Sequence, residues 1–248
     1  MIRRLVLVAL VLAAGPAAAQ DVPADYAVFM KTVEKGGDFK DGVLKVNIPR
    51  SDLRVTIAGR PAPTPLGFGG WLALTPADGG SHVMMGDLVL TEAEVNPVMS
   101  ALLDNGLEVT ALHNHFFHET PRIFYMHVHG RGAGGDLAQR VRPALALIGR
   151  PPVAGTPAAP APARGVSGST MASIIGHQGE QNGPVYKITI GRPDIDMRMH
   201  GARINSRMGL NTWAAFAGTD ADAMVAGDVA MLEHELTPVL TALRKNGL

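Results

Sequence analysis

The feature that most constrains this chain is that it matches itself. Displaced by 142 positions, Gly37, Val43, Lys45, Ile48, Arg50, Asp52, Gly59, Gly67 and Trp71 fall on Gly179, Val185, Lys187, Ile190, Arg192, Asp194, Gly201, Gly209 and Trp213. One deletion later, at 141, Gly86-Asp87, Glu92, Glu94, Pro97-Val98, Ala101-Leu102 and Asn105-Gly106-Leu107 fall on Gly227-Asp228, Glu233, Glu235, Pro238-Val239, Ala242-Leu243 and Asn246-Gly247-Leu248. A register kept over so long a stretch means one supersecondary unit used twice. Each unit is expected to run strands, helix, two strands, helix. Two such units pack as one pseudo-symmetric α+β body.

The divisions follow from composition. Residues 1–19 have a positive start at Arg3-Arg4, an apolar run from Leu5 to Ala14 and an Ala-Ala-Ala end, which is the layout of a secretory signal peptide cleaved after Ala19. The run is too short to span a bilayer, and no cysteine follows it to carry a lipid, so no stable membrane anchor is expected. Residues 20–149 form the first repeat, 150–168 a Pro/Ala linker of extended character, and 169–248 the second repeat. The second copy reaches only the counterpart of Leu107. The expectation is therefore an incomplete second unit with an uncovered apolar edge, either because the sequence is a fragment or because a second copy of the chain supplies strands by swapping.

The periodicities sketch the first unit. Ala24–Lys35 predicts a helix stopped by Gly36-Gly37, and Gly42–Ile48, Leu53–Ala58, Trp71–Thr75 and His82–Leu90 predict strands. Thr91-Glu-Ala-Glu94 has capping-box form before an apolar Met99, Leu102, Leu103 face, although Asn96-Pro97 is an alternative start. Leu107–Phe117 and Arg122–His129 predict a hairpin. Gly130–Gly135 predicts a turn, and Asp136 a cap on a last helix.

That hairpin carries the chemistry. Five of the nine histidines lie between Ala111 and His129, four of them as His113-x-His115 and His127-x-His129. Residues two apart on a strand share a face. If opposed residues sum to 242 or 240, all four imidazoles face one way, close enough to bind one transition-metal ion, with Zn, Cu and Fe not distinguished. His118, Glu119 and Arg122 are candidate additional or orienting groups at the turn. His113-x-His115-x-x-x-Glu119 is also similar to the metal motif of cupins, which keeps a cupin-like oxygenase or isomerase as an alternative, one that needs a barrel. A further alternative is a non-enzymatic envelope binding or scaffold module with structural histidines. No catalytic residue is assigned.

Composition narrows the partners. Without Arg3 and Arg4 the chain has 20 basic and 22 acidic residues, which argues against nucleic acid as a partner. It has no cysteine, so any metal is held by His, carboxylate or Met. Met197-x-Met199-His200 with Met208, Met84-Met85 and Met126 are soft groups suited to Cu(I), or simply core. Asp87 with Asp228, and Trp71 with Trp213, recur in both copies; the aspartates are expected to serve a structural turn and the tryptophans to be core anchors.

Asn105-Gly-Leu-Glu-Val-Thr-Ala-Leu-His-Asn-His115 and Pro121-Arg-Ile-Phe-Tyr-Met-His127, with the Gly-x-x-x-Trp and Gly-Asp of both copies, resemble the LppY/LpqO family of bacterial extracytoplasmic proteins. The resemblance implies an exported protein, periplasmic or secreted, built from a tandem domain. It implies no activity. In that family the second copy normally has its own His-x-His and Pro-Arg segment.

Overall fold

A computed structural model describes residues 21–149 and 165–248. The signal-peptide reading and most of the linker fall outside these residues. The first repeat runs α1 (Ala24–Val33), β1 (Gly37–Lys40), β2 (Val43–Pro49), β3 (Val55–Ile57), β4 (Arg60–Ala62), β5 (Gly69–Pro76), β6 (His82–Thr91), α2 (Glu92–Asp104), β7 (Glu108–His113), β8 (Glu119–Thr120), β9 (Ile123–Gly132) and α3 (Gly134–Leu145). The second runs α4 (Gly168–Ile175), β10 (Glu180–Asn182), β11 (Val185–Gly191), β12 (Met197–Met199), β13 (Ala202–Ile204), β14 (Asn211–Thr219), β15 (Asp222–Asp228) and α5 (Glu233–Lys245). The α+β tandem architecture is the one the repeat implied.

Strands β1-β2-β5-β6-β9-β7 form an open antiparallel sheet, and β10-β11-β14-β15 the corresponding sheet of the second repeat. Period-two alternation gives the first sheet two faces with different fates. Leu44, Val46, Ile48, Leu72, Leu74, Met84, Leu88, Met126 and Val128 turn to one side and are sealed by α1, α2 and α3 through Phe29, Val98, Leu102, Leu137 and Val141. The other side turns to the second repeat. There Val89, Ile123 and Tyr125 share a core with Val185, Ala215 and Ala217, and Val43, Ala73 and Val83 share one with Ala202, Ile204 and Met208. Among the described residues the open sheet and its packed helices give the cupin-like alternative no barrel.

The repeats also exchange arms. The 3-10 turn Thr64–Leu66 packs on β11 and β14, and its counterpart Ser206–Met208 packs on β2 and β5. Each tryptophan lies against a glycine of the other repeat. A Cβ added to Gly209 (φ +100°) would meet Trp71 at 3.2 Å, and one added to Gly67 would stand 3.6 Å from Trp213. Arg60 pairs with Asp222, and Arg207 with Asp38, across the same boundary.

Local sequence explains most of the elements. Thr91 starts α2 because the Glu94 carboxylate accepts the Thr91 N–H at 2.7 Å. Asn96-Pro97 is therefore inside the helix, and Pro97, its sixth residue, leaves one intrahelical N–H bond unmade. The glycine-rich turn expected after His129 is instead strand, since β9 runs on to Gly132. Glycine is needed there for close approach: a Cβ on Gly130 would stand 2.5 Å from Leu107 and 3.0 Å from Leu137. Asp136 does not cap α3. Ala133 holds that position and Asp136 sits in the first turn, where its charge suits the helix dipole.

A candidate site between the two repeats

Directly opposed strand residues share a face, so the register builds the site row by row. Asn47, Trp71, Asp87, His127 and Ala111 form one row across β2, β5, β6, β9 and β7. His113 opposes Tyr125 on the same face, one row along. Opposed residues thus sum to 238, short of the 242 or 240 that an ideal hairpin predicted. The segment between β7 and β9 is drawn away to form β8, which pairs with β3 instead of closing a tight turn. A bulge at Thr110 then shifts the register so that Glu108 stands opposite His129.

The consequence is that the four histidines divide. His113, His115 and His127 come together: the Nε2 atoms of His113 and His115 are 3.0 Å apart, and the His113 and His127 rings meet edge to face at 4.9 Å. His115 lies beyond β7 and folds back to stack on Tyr125, with ring centroids 3.5 Å apart. His129 shares the face of His127 but looks the other way along the sheet, towards Glu108 at 3.2 Å and His200. Among the described residues no three His, Cys, Asp or Glu side chains already stand in a metal-ligating arrangement.

The turn candidates hold the loop. The His118 carbonyl accepts the Ala58 N–H at 3.0 Å, while its own φ of 57° places it in the left-handed region. Buried Glu119 accepts the Ile123 N–H at 3.0 Å, and exposed Arg122 donates to Asn114 at 3.3 Å. None of the three makes a hydrogen bond to the histidine cluster.

What the cluster does meet is the set of residues that both repeats keep. Asp87 lies in mid-strand, against the expectation of a structural turn, with Oδ2 3.8 Å from His127 Nε2. Lys45 lies 4.5 Å from the centroid of the Trp71 ring, and Lys187 lies 4.0 Å from that of Trp213. The two tryptophans, expected as plain core anchors, each carry a lysine. Their signal in the sequence was repetition itself: Lys45/Lys187, Trp71/Trp213 and Asp87/Asp228 all occupy equivalent positions.

Enclosure between the sheets sets the charges. Burial, reinforced by Asp228 and opposed by Lys45, raises Asp87 to about 7. Burial first, then Lys187 and Arg207, brings Lys45 down to about 8, and burial also lowers Lys187. Burial, with His113, His127 and Lys187, takes His115 down to about 3. His127 is lowered by burial and by His113. At neutral pH His115 is thus an uncharged imidazole, and Asp87, next to His127, is a carboxyl group near its midpoint. His115 Nδ1 and Asp87 Oδ1 are both buried without a hydrogen-bond partner.

Alongside this cluster opens a cavity of ≈ 530 Å³, lined by Trp71, His127, His129 and His200 together with several methionines. No described helix is long and apolar enough to cross a membrane.

No curated protein and no solved structure gives a match. A family model matches residues 27–147 and again 169–248, one match to each repeat and together most of the sequence. The chain belongs to the family described as Domain of Unknown Function (DUF1259).

Proposed function

We propose that this is an exported metal-binding protein whose centre is His113, His115 and His127, with Asp87 beside it. The observation that carries the reading is the 3.0 Å approach of two imidazole Nε2 atoms next to a third ring. Two nitrogens bound at ~2.0–2.1 Å to one ion stand roughly 3 Å apart. His127, whose ring centroid lies 4.9 Å from that of His113, is the candidate third ligand. Burial keeps His115 and His127 in the neutral form that a metal requires. The unpartnered Asp87 oxygen fits a role as fourth ligand or as acceptor from a ligand ring. His129 is left out of this set, and His118, Glu119 and Arg122 have loop-holding roles. Zn, Cu and Fe all suit an imidazole-rich site. Export rests on residues 1–19 and on the LppY/LpqO resemblance.

A second reading has its own observation. The His113–His115 contact and the stacking of His115 on Tyr125 are also what a structural polar cluster needs. One experiment separates the two. Protein purified without chelator is expected to hold about one equivalent of transition metal per chain by elemental analysis, and His113→Ala/His127→Ala less than a tenth of that. Equal, negligible metal in both proteins would leave the structural cluster standing and refute the metal centre.

A further inference from the structure

The cavity has a corner that the histidine cluster does not use. On its sheet wall Met85 and His129 are direct cross-strand partners on β6 and β9, which places their Cβ atoms about 5 Å apart. On its other wall lies the β12–β13 arm contributed by the second repeat. Met197 and Met199, two apart on β12, share a face, and His200 follows in the left-handed conformation (φ 49°) at the turn. All five line the one cavity, with buried Met208.

His129 is arranged as a ligand without a ligation partner. Its side chain is 9% exposed. With Nδ1 3.2 Å from a Glu108 carboxylate oxygen, the ring proton belongs on Nδ1 and the lone pair on Nε2. That Nε2 is buried and has no hydrogen-bond partner. The His200 ring lies nearly parallel to it, tilted 27°, with centroids 5.9 Å apart. Two imidazoles bound to one ion at ~2 Å set their centroids about 5–6 Å apart.

We infer that this corner binds a soft monovalent metal ion of the Cu(I) class, held by His129 Nε2, His200 and the thioethers of Met85, Met197 and Met199. Thioether sulfur selects Cu(I) over the harder divalent ions, and in a chain without cysteine it is the only soft donor. The site is distinct from the His113–His115–His127 centre, needs no electron transfer, and joins residues of both repeats. Met84 and Met126, buried on the helix-covered face, take no part.

Ag(I) serves as a redox-inert probe. The experiment uses the His113→Ala/His127→Ala protein, so that failure of the proposed metal centre and failure of this site remain separable. One equivalent of Ag(I) is expected to bind, shifting the NMR methyl signals of Met85, Met197 and Met199 and leaving those of Met84 and Met126 in place. Adding Met197→Leu/Met199→Leu, or His200→Ala alone, should weaken Ag(I) at least tenfold. Met197 and His200 are exposed, so the His200→Ala protein retains its fold and keeps the test decisive. Ag(I) affinity within twofold in these variants, or no selective methyl shift, would overturn the site.

Discussion

Helices α2 and α5 carry equivalent residues and live in different surroundings. In α2, Val98 and Leu102 are fully buried, and Leu107 beyond its end is 2% exposed. In α5 no residue is buried, and Leu236, the counterpart of Val95, is 45% exposed. The ion-pair systems at the base of each helix make the same comparison. Arg50 donates to Val89 O, Glu94 and Asp52, and Arg192 to Ala230 O, Glu235 and Asp194, with near-identical geometry. Yet the Arg50 side chain is 2% exposed and that of Arg192 16%. The difference lies in what packs around them. Strand β6 has β9 on its outer edge, and α2 has α3 beside it. Among the described residues nothing pairs with the outer edge of β15 or buries α5. A repeated motif therefore specifies local geometry, while its energetic weight comes from its neighbours.

That contrast can be broken by paired substitutions. The largest difference is expected for the arginines. Arg50→Met leaves Glu94 buried without its cation and should cost about 3–5 kcal/mol in urea unfolding, whereas Arg192→Met should shift the midpoint far less. Equal losses would mean that the two clusters are alike in their burial. Next come the leucines: Leu102→Ala should cost roughly 2–5 kcal/mol and its counterpart Leu243→Ala no more than about 1 kcal/mol.

The aspartates bring the comparison to the site. Asp87 is raised above its ordinary 3.8 to about 7. Between those values the folded state holds a proton that the unfolded state has released, so wild-type stability falls as pH rises through this window. Relative to metal-free wild type, Asp87→Asn should therefore gain roughly 2–4 kcal/mol on going from pH 4 to pH 8. Asp228→Asn, which removes a charge that helps burial raise Asp87, should give only a smaller part of that change. Parallel stability–pH curves for Asp87→Asn and wild type would remove the desolvation of Asp87. The smallest effect needs no mutation. Hydrogen exchange should protect the amides of α2 close to the global limit and those of α5 well below it, because α5 opens without exposing core.

Much of this was legible in one dimension. The duplication, the capping box at Thr91 and the strand alternation all depend on local pattern, which is why helix and strand positions follow from residue order. Where reading failed, a neighbour distant in sequence was responsible. Gly130 to Gly132 resembles a turn but is strand, because Leu107 and Leu137 press on it. His129 resembles a fourth ligand of one centre but was separated from the others by the pull of β3 on β8 and the bulge at Thr110.

The amino-acid order by itself determined that a unit is used twice and that its histidines lie on two adjoining segments. It also marked, by repetition, the lysine, tryptophan and aspartate of the site. Only the tertiary structure decided how those residues are buried and what they touch. Packing two sheets face to face put Lys45, Asp87 and His115 out of water, and that desolvation shifts their charges. The crossing of β12 and β13 onto the first sheet brought His200 to His129. Burial and contact between repeats are properties of the assembled body, and no period in the sequence encodes them directly.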